Sequence, residues 1–519
     1  MKIVQLIYAW VRRLPWKFTV PFALLLVLWL FFVALLFDRY GVSQITDLLF
    51  SLFGYKLPSL KEPASGFVYP KLLIRLIVDS LVSLAIVAIA VITSYNLAAL
   101  IYRRIRKHPP GKASVHAPTS SESGSDETIK KFTERYRIED LSIGLILAGG
   151  GAKGAYQAGA LKAIYEFLEK NNALDRVKMI AGTSIGSWNS MFWLAGLVKP
   201  PDGKRPSAHE QWWRTISVDR IMEFSAYWPL RRNYFLTSQP WQEMFEEIFV
   251  NEATVNASLS KLFAANDNGS FNFYLTRSNV ARGHLEFATN NVRLPNMKRK
   301  NWKTNEEEPL IDSDLYELID FQAENPLEKL KTAVFASMDL PPLFPYMRIK
   351  SDMSQWFEDG GVVDNLPMRF GTEIEKCNLL FVLPLNASFA EKVSHNSVTR
   401  RLFRVMDIRQ GVLEHNSIKL ARLYNDKVRL ENELNALRND SDRQPQQSLL
   451  SVFAICPDQP LAIGTAEFWK PAEAGEAFDL MYAATRKALN DKFIELTDPN
   501  ALKMTLVGPT GETRIRDDF

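Results

Sequence analysis

Residues 143–186 read IGLILAGGGAKGAYQAGALKAIYEFLEKNNALDRVKMIAGTSIG, and this stretch decides the fold. Ile143–Ala148 is a short apolar run with no polar alternation, the pattern of a strand buried on both faces. Glycines follow it, then a helical stripe over about 154–170 with Ala158, Leu161, Ile164, Tyr165 and Leu168 on one side. Val177–Ala181 is a second apolar run that ends in another glycine turn. Strand, glycine loop, helix, strand is the repeating unit of an α/β sheet covered on both faces. Further along, Leu379–Leu385 and Leu450–Cys456 predict buried strands, and about 396–438 and 474–491 predict helices.

The N-terminal hundred residues follow different rules. Phe18–Phe37 and Ser80–Tyr102 are uncharged apolar runs of 20 and 23 residues, long enough to cross the ~30 Å hydrocarbon core of a bilayer. The first run is too long for an ordinary signal peptide, and Asp38-Arg39-Tyr40 follows it rather than a small-residue cleavage site. The second stops at Arg103-Arg104-Ile105-Arg106-Lys107. Residues 1–107 hold 13 Lys/Arg against 4 Asp/Glu, and the remainder holds 49 against 54. The basic balance thus belongs to the N-terminal module, and the mildly acidic remainder argues against nucleic-acid binding. Positive charge flanks the outer ends of both runs, so the expected topology is a two-helix transmembrane hairpin with both termini and the following domain cytoplasmic. A bacterial inner membrane is the default, because no organelle address is evident. Residues 108–140, rich in Pro, Ser and Gly at 109–127, predict a tether. Two cysteines, Cys377 and Cys456, make no disulfide scaffold.

Three short segments carry chemistry. Gly182-Thr183-Ser184-Ile185-Gly186 is a G-x-S-x-G placed between strand and helix, the context of a nucleophile elbow. Alone, it reads equally as a loop serine capping the next helix. Gly149-Gly150-Gly151-Ala152-Lys153-Gly154 opens the first helix, and amides at such a turn form an anion site suited to an oxyanion. The same glycines satisfy G-x-G-x-x-G, but Asp175 precedes the second strand instead of ending it, against the dinucleotide reading. A P-loop is excluded by Gly154-Ala155-Tyr156. Asp359-Gly360-Gly361 is by itself a turn signal.

As a set and in this order, with Asn365 and Pro367 downstream and Ala336–Pro345 upstream of the aspartate, the segments resemble the patatin-like phospholipases. The resemblance covers about 143–387 closely and 200–330 only loosely. It implies a three-layer patatin-like α/β sheet with helices on both faces, over about 141–495, with an insertion at about 200–330 and a tail at 496–519. It also implies a Ser184–Asp359 dyad, an oxyanion loop over Gly149–Gly154, and hydrolysis of acyl esters of (lyso)phospholipids or related glycerolipids. No metal or other cofactor is implied. The expected partners are membrane lipids as substrate and the bilayer itself. None of the six histidines, His108, His116, His209, His284, His395 and His415, sits in a motif; His284 and His395 remain as candidate triad bases. Lys153 is expected to shape its loop without transferring protons. The aromatics of 205–250, among them Trp212, Trp213, Trp228 and Trp241, read first as a core-facing insertion and second as a lid or acyl channel near Arg231-Arg232. No metal-ligand spacing occurs. Alternatives are an acyltransferase using the same serine, a non-catalytic lipid-binding scaffold, and a nucleotide-binding membrane protein.

Overall fold

The computed structural model describes residues 20–30, 33, 45–47, 68–105, 132, 136–198, 206–224, 234, 236–250, 271–301, 303–340, 344–345, 347, 356–386, 398–437, 448–459, 463–465 and 467–517. It divides into two units, one of residues 1–110 with 222–237 and one of 111–221 with 238–519.

In the smaller unit, helix α1 spans Val68–Ile105. Its segment Ile77–Ile101 has mean hydropathy 2.3 and is long and apolar enough to cross a membrane. Leu81, Leu84, Ile89 and Leu97 point outward, unlike the side chains of a core helix. Some of its polar groups bond within the helix: Ser83, Thr93 and Asn96 donate back to the carbonyls of Asp79, Ile89 and Ile92. Tyr95, Ala98 and Ala99 pack with Phe22, Leu25 and Leu236. Of the first expected span, the described part is an apolar helix over Val20–Leu30. Residues 18–19, 31–32 and 34–37 lie outside the described residues, so α1 is the one described helix both long and apolar enough to be a span.

The larger unit is built on a ten-stranded sheet. Its strands are β1 (Ile143–Leu147), β2 (Val177–Thr183), β3 (Asn272–Asn279), β4 (His284–Thr289), β5 (Tyr316–Leu318), β6 (Phe357–Asp359), β7 (Leu379–Leu383), β8 (Ser451–Pro457), β9 (Met504–Val507) and β10 (Thr513–Arg516). Nine of them lie in the order β10-β9-β8-β7-β1-β2-β3-β4-β5, and β6 pairs with the end of β3. The central pairs β8/β7/β1/β2/β3 are parallel. The helices are α2 (Gly154–Lys170), α3 (Ile185–Leu194), α4 (Ala208–Thr215), α5 (Gln239–Phe245), α6 (Pro326–Met338), α7 (Val398–Ala436) and α8 (Pro471–Leu496).

Alternation along the strands makes three layers. Ile146 and Val382 join the cluster that receives Ile418 and Ala421 of α7. Phe381 and Phe453 meet Phe493 of α8 on the other face. The chain order moves from β1 through β2 to β3 on one side, while β7 flanks β1 on the other. That is a topological switch point, where open α/β sheets place their sites at the carboxyl ends of the strands.

Three expected boundaries shift. Phe132, inside the predicted tether, is buried against Phe167 and Phe493, because a bulky aromatic gains more from burial than its short anchor loses in freedom. The later part of the loosely matching midsection supplies β3, β4 and β5 to the main sheet. Residues 504–516, read as a tail, add the edge hairpin β9–β10.

Most of the described part of the aromatic stretch is core, while Tyr234 is half-buried. Trp212, Trp213, Trp241, Phe245 and Phe249 are buried. Trp188 of α3 is surrounded by Phe192, Trp212, Trp241, Phe245, Phe249 and Phe335. This cluster fixes α3 one turn beyond Ser184. Tyr227, Trp228, Arg231, Arg232 and Phe235 lie outside the described residues.

Candidate active site

Ser184 stands between β2 and α3 with φ 54° and ψ −124°. Positive φ in a residue with a Cβ costs of the order of 1–3 kcal/mol and persists only where surroundings over-determine it. Here Gly182 and Gly186 let the turn close against main chain, and the Ser184 N–H donates to Ser337 Oγ at 2.9 Å. Ser187 Oγ donates to the Gly182 carbonyl at 2.9 Å and lies 2.8 Å from Ser337 Oγ, so the second serine packs the elbow. The strain aims the Ser184 hydroxyl, which donates to Asp359 Oδ2 at 2.5 Å.

Asp359 ends β6. Its Oδ1 accepts from the Gly361 N–H at 2.8 Å, its carbonyl accepts from Ser278 Oγ at 2.9 Å, and its N–H donates to the Asp339 carbonyl at 3.1 Å. The Ser184 hydroxyl and Gly361 N–H hold the carboxylate, while Ser278 and Asp339 hold its main chain. Burial pushes its pKa up to about 6, against the lowering pull of the Ser184 and Gly361 hydrogen bonds. Asp339, buried next to it, is pushed well above the carboxylate range by burial and by the Asp359 charge.

The glycine loop lies over the serine. A Cβ on Gly149 would sit 2.9 Å from Ser184 Cβ. Gly151 adopts φ +57°, and a Cβ there would meet the Thr465 carbonyl at 2.1 Å. Among the described residues, the amides of Gly149, Gly150 and Gly151 have no partner, which leaves them free to donate to an oxyanion. The amides of the loop's second half are already used: Ala152 donates to Thr465, Lys153 to Gly150, and Gly154 to Ala152 and Gly151. The 3₁₀ turn over Gly151–Lys153 takes them out of the candidate donor set. The N-terminus of α3 adds positive potential beside the serine.

Other sequence candidates sit elsewhere. Lys153 Nζ donates to Asn386 Oδ1 at 2.5 Å and Asp407 Oδ1 at 2.8 Å. Asp175 lies on the turn before β2, exposed and paired with Arg176, so β2 has no acidic residue at its end for a ribose. His284 meets Glu286 at 3.4 Å at the start of β4. His209 is a core residue stacked on Phe192, with its pKa lowered to about 3 by burial and then by Lys162. His395 lies outside the described residues. The described residues contain no acidic, histidine or cysteine group able to hold a metal.

The patatin-like phospholipase family matches residues 145–370. The patatin-like match begins in β1 and ends just beyond Pro367, so it includes Ser184, Asp359 and the glycine loop. Among solved structures, VipD from Legionella pneumophila aligns at 13% identity over 68% of this chain and 67% of its own, with a TM-score of 0.28. A search of curated proteins returned no match.

Several residues of the site carry no signal in the sequence. Ser337, inside a quoted motif, has its hydroxyl under the nucleophile. Asn386, Asp407, Glu414 and Thr465 approach the glycine loop from segments more than 200 residues away. Local pattern carries no signal for them.

Proposed function

We propose that this protein is a membrane-anchored serine lipid acyl hydrolase. One observation carries the reading: the Ser184 hydroxyl, on a strained elbow, donates to a buried Asp359 carboxylate beside three glycine amides that have no partner among the described residues. Ser184 Oγ attacks the ester carbonyl while its proton passes to Asp359. A buried base near pKa 6 is far better matched to this work than an ordinary aspartate at 3.8. The amides of Gly149–Gly151 hold the negative oxygen, each worth on the order of 3 kcal/mol in the transition state. Asp359 returns its proton to the leaving alcohol, giving the acyl-serine. Water, deprotonated by Asp359, then releases the fatty acid and restores the hydroxyl.

The substrates are acyl esters of (lyso)phospholipids or related glycerolipids. The outward-facing apolar helix α1 supports anchoring beside them at high effective concentration. With Val20–Leu30 as part of the first span and α1 as the second, the basic flanks put the domain on the cytoplasmic side. The test is free fatty acid release from mixed phospholipid vesicles by the detergent-solubilised full chain. Release by the wild type and none by Ser184→Ala supports the proposal. A new acylated acceptor without free acid would make the enzyme a transferase, and neither product from the wild type would refute it.

A further inference from the structure

Helix α7 lies outside the family match, yet it reaches the glycine loop from two positions. Asp407 and Glu414 are seven residues apart, two turns, and so face the same way. Glu414, 2% exposed, accepts at Oε1 from Asn365 Nδ2 at 2.5 Å and from Asn386 Nδ2 at 2.6 Å, and at Oε2 from the Asn386 N–H at 3.2 Å. Asn365 Nδ2 also donates to the Gly149 carbonyl at 3.1 Å. Asn386 Oδ1 accepts from Lys153, Lys153 donates to Asp407, and Thr465 Oγ1 donates to Asp407 at 3.2 Å. The Thr465 carbonyl takes the Ala152 N–H at 2.9 Å. The bonds close a ring that starts and finishes on the glycine loop, touching it at Gly149, Ala152 and Lys153. Arg409 of the same helix donates to the Val362 carbonyl at 2.7 Å, next to the turn that follows Asp359.

We propose that Glu414 is a positioning residue: through Asn365 and Asn386 it clamps the Gly149–Lys153 loop so that the first three amides of that loop stay aimed at the oxyanion. This deepens the hydrolase reading and rests on it. Glu414 is suited to the part because its bonded partners are amides, with no arginine or lysine at bonding distance among the described residues. A buried acceptor that gathers three N–H groups fixes direction, and its removal leaves buried donors unpaired. Asn365 cannot serve alone, since its carboxamide is itself oriented by Glu414.

The test compares Glu414→Ala, Glu414→Gln and Asn386→Ala with wild type in the full chain. Loosening of the oxyanion donors predicts a kcat about 10²-fold lower for Glu414→Ala, with KM nearly unchanged. Glutamine keeps an oxygen for both asparagine side chains, so Glu414→Gln should recover to within about 5-fold of wild type. Asn386→Ala opens the ring at another bond with a smaller buried change, and should lower kcat in the same manner. Hydrogen exchange over residues 148–156 reads the clamp without catalysis: both alanine variants should exchange faster there, and Ser184→Ala should not. Wild-type kcat in a folded Glu414→Ala, or unchanged exchange in both alanine variants, would overturn the proposal. A wild type that releases no fatty acid sinks the hydrolase reading instead, while the exchange data still decide the clamp.

Discussion

Replacing Asp359 by asparagine should abolish activity and yet stabilise the protein at neutral pH. The carboxyl is buried, and its pKa stands at about 6 in the folded chain against 3.8 in the unfolded one. The folded state therefore holds this proton more tightly. Below about pH 4 both states are protonated, and the raised pKa contributes its full stabilisation relative to the ionised form. As pH rises through 6 that contribution is lost, because folding now requires a buried charge. The gap of about two pH units corresponds to roughly 3 kcal/mol, at 1.36 kcal/mol per unit. Asparagine carries no charge at any pH, so it escapes this loss. Its oxygen can keep the Gly361 N–H, and its amide can donate to Ser184 Oγ, leaving both neighbours of the carboxylate satisfied. The assay is the thermal midpoint of Asp359→Asn minus that of wild type, from pH 4 to pH 8. Any fixed packing cost shows at pH 4 and cancels. The difference should grow through pH 5–6 and level off near pH 7, at roughly 5 °C if each kcal/mol moves the midpoint by about 2 °C. Asp339, raised partly by the Asp359 charge, relaxes in the variant and adds in the same direction. A difference that stays flat with pH would refute the claim that this carboxyl is destabilised by burial.

Activity should follow the same group with the opposite use. The base works ionised, so kcat/KM should fall about tenfold per pH unit below an apparent pKa near 6 and plateau above it, in a pH–rate profile on monodisperse ester. Gly360→Ala should fold poorly or lose activity at least 10²-fold, because a Cβ there would lie 2.4 Å from Thr276 Oγ1 and 2.7 Å from its carbonyl; turnover and thermal midpoint check it. Trp188→Ala should cost about 3–5 kcal/mol by emptying the centre of the aromatic cluster behind the elbow, read by denaturant unfolding.

What was legible in the sequence was local. The run Ile143–Leu147, the glycines after it and the stripe on α2 declare strand, loop and helix within one window, and Val177–Thr183 with Ser184 repeats the signal. The serine and aspartate were found because their neighbours must be small where main chains crowd. Their meeting at 2.5 Å depends on the antiparallel pairing of β6 with β3, set by contacts between residues some eighty positions apart. The edge hairpin β9–β10 is not legible because Thr513–Arg516 holds a single apolar residue, Ile515, at a partly exposed edge, with too few residues to stand out. Phe132 was absorbed into a polar tether because a single aromatic makes no period. Glu414 was invisible for a similar reason: on a long helix full of charges, only the fold shows which carboxylate turns inward.

The most direct test of the central claim is labelling by a fluorophosphonate probe, which phosphonylates an activated serine through the hydroxyl, base and oxyanion site at once. Wild type, Ser184→Ala and Asp359→Ala should be compared in detergent. The account predicts stoichiometric labelling of the wild type at Ser184, none in the serine variant, and a rate at least 10²-fold slower in the aspartate variant. Labelling that persists in Ser184→Ala, or proceeds at the wild-type rate without Asp359, would contradict it.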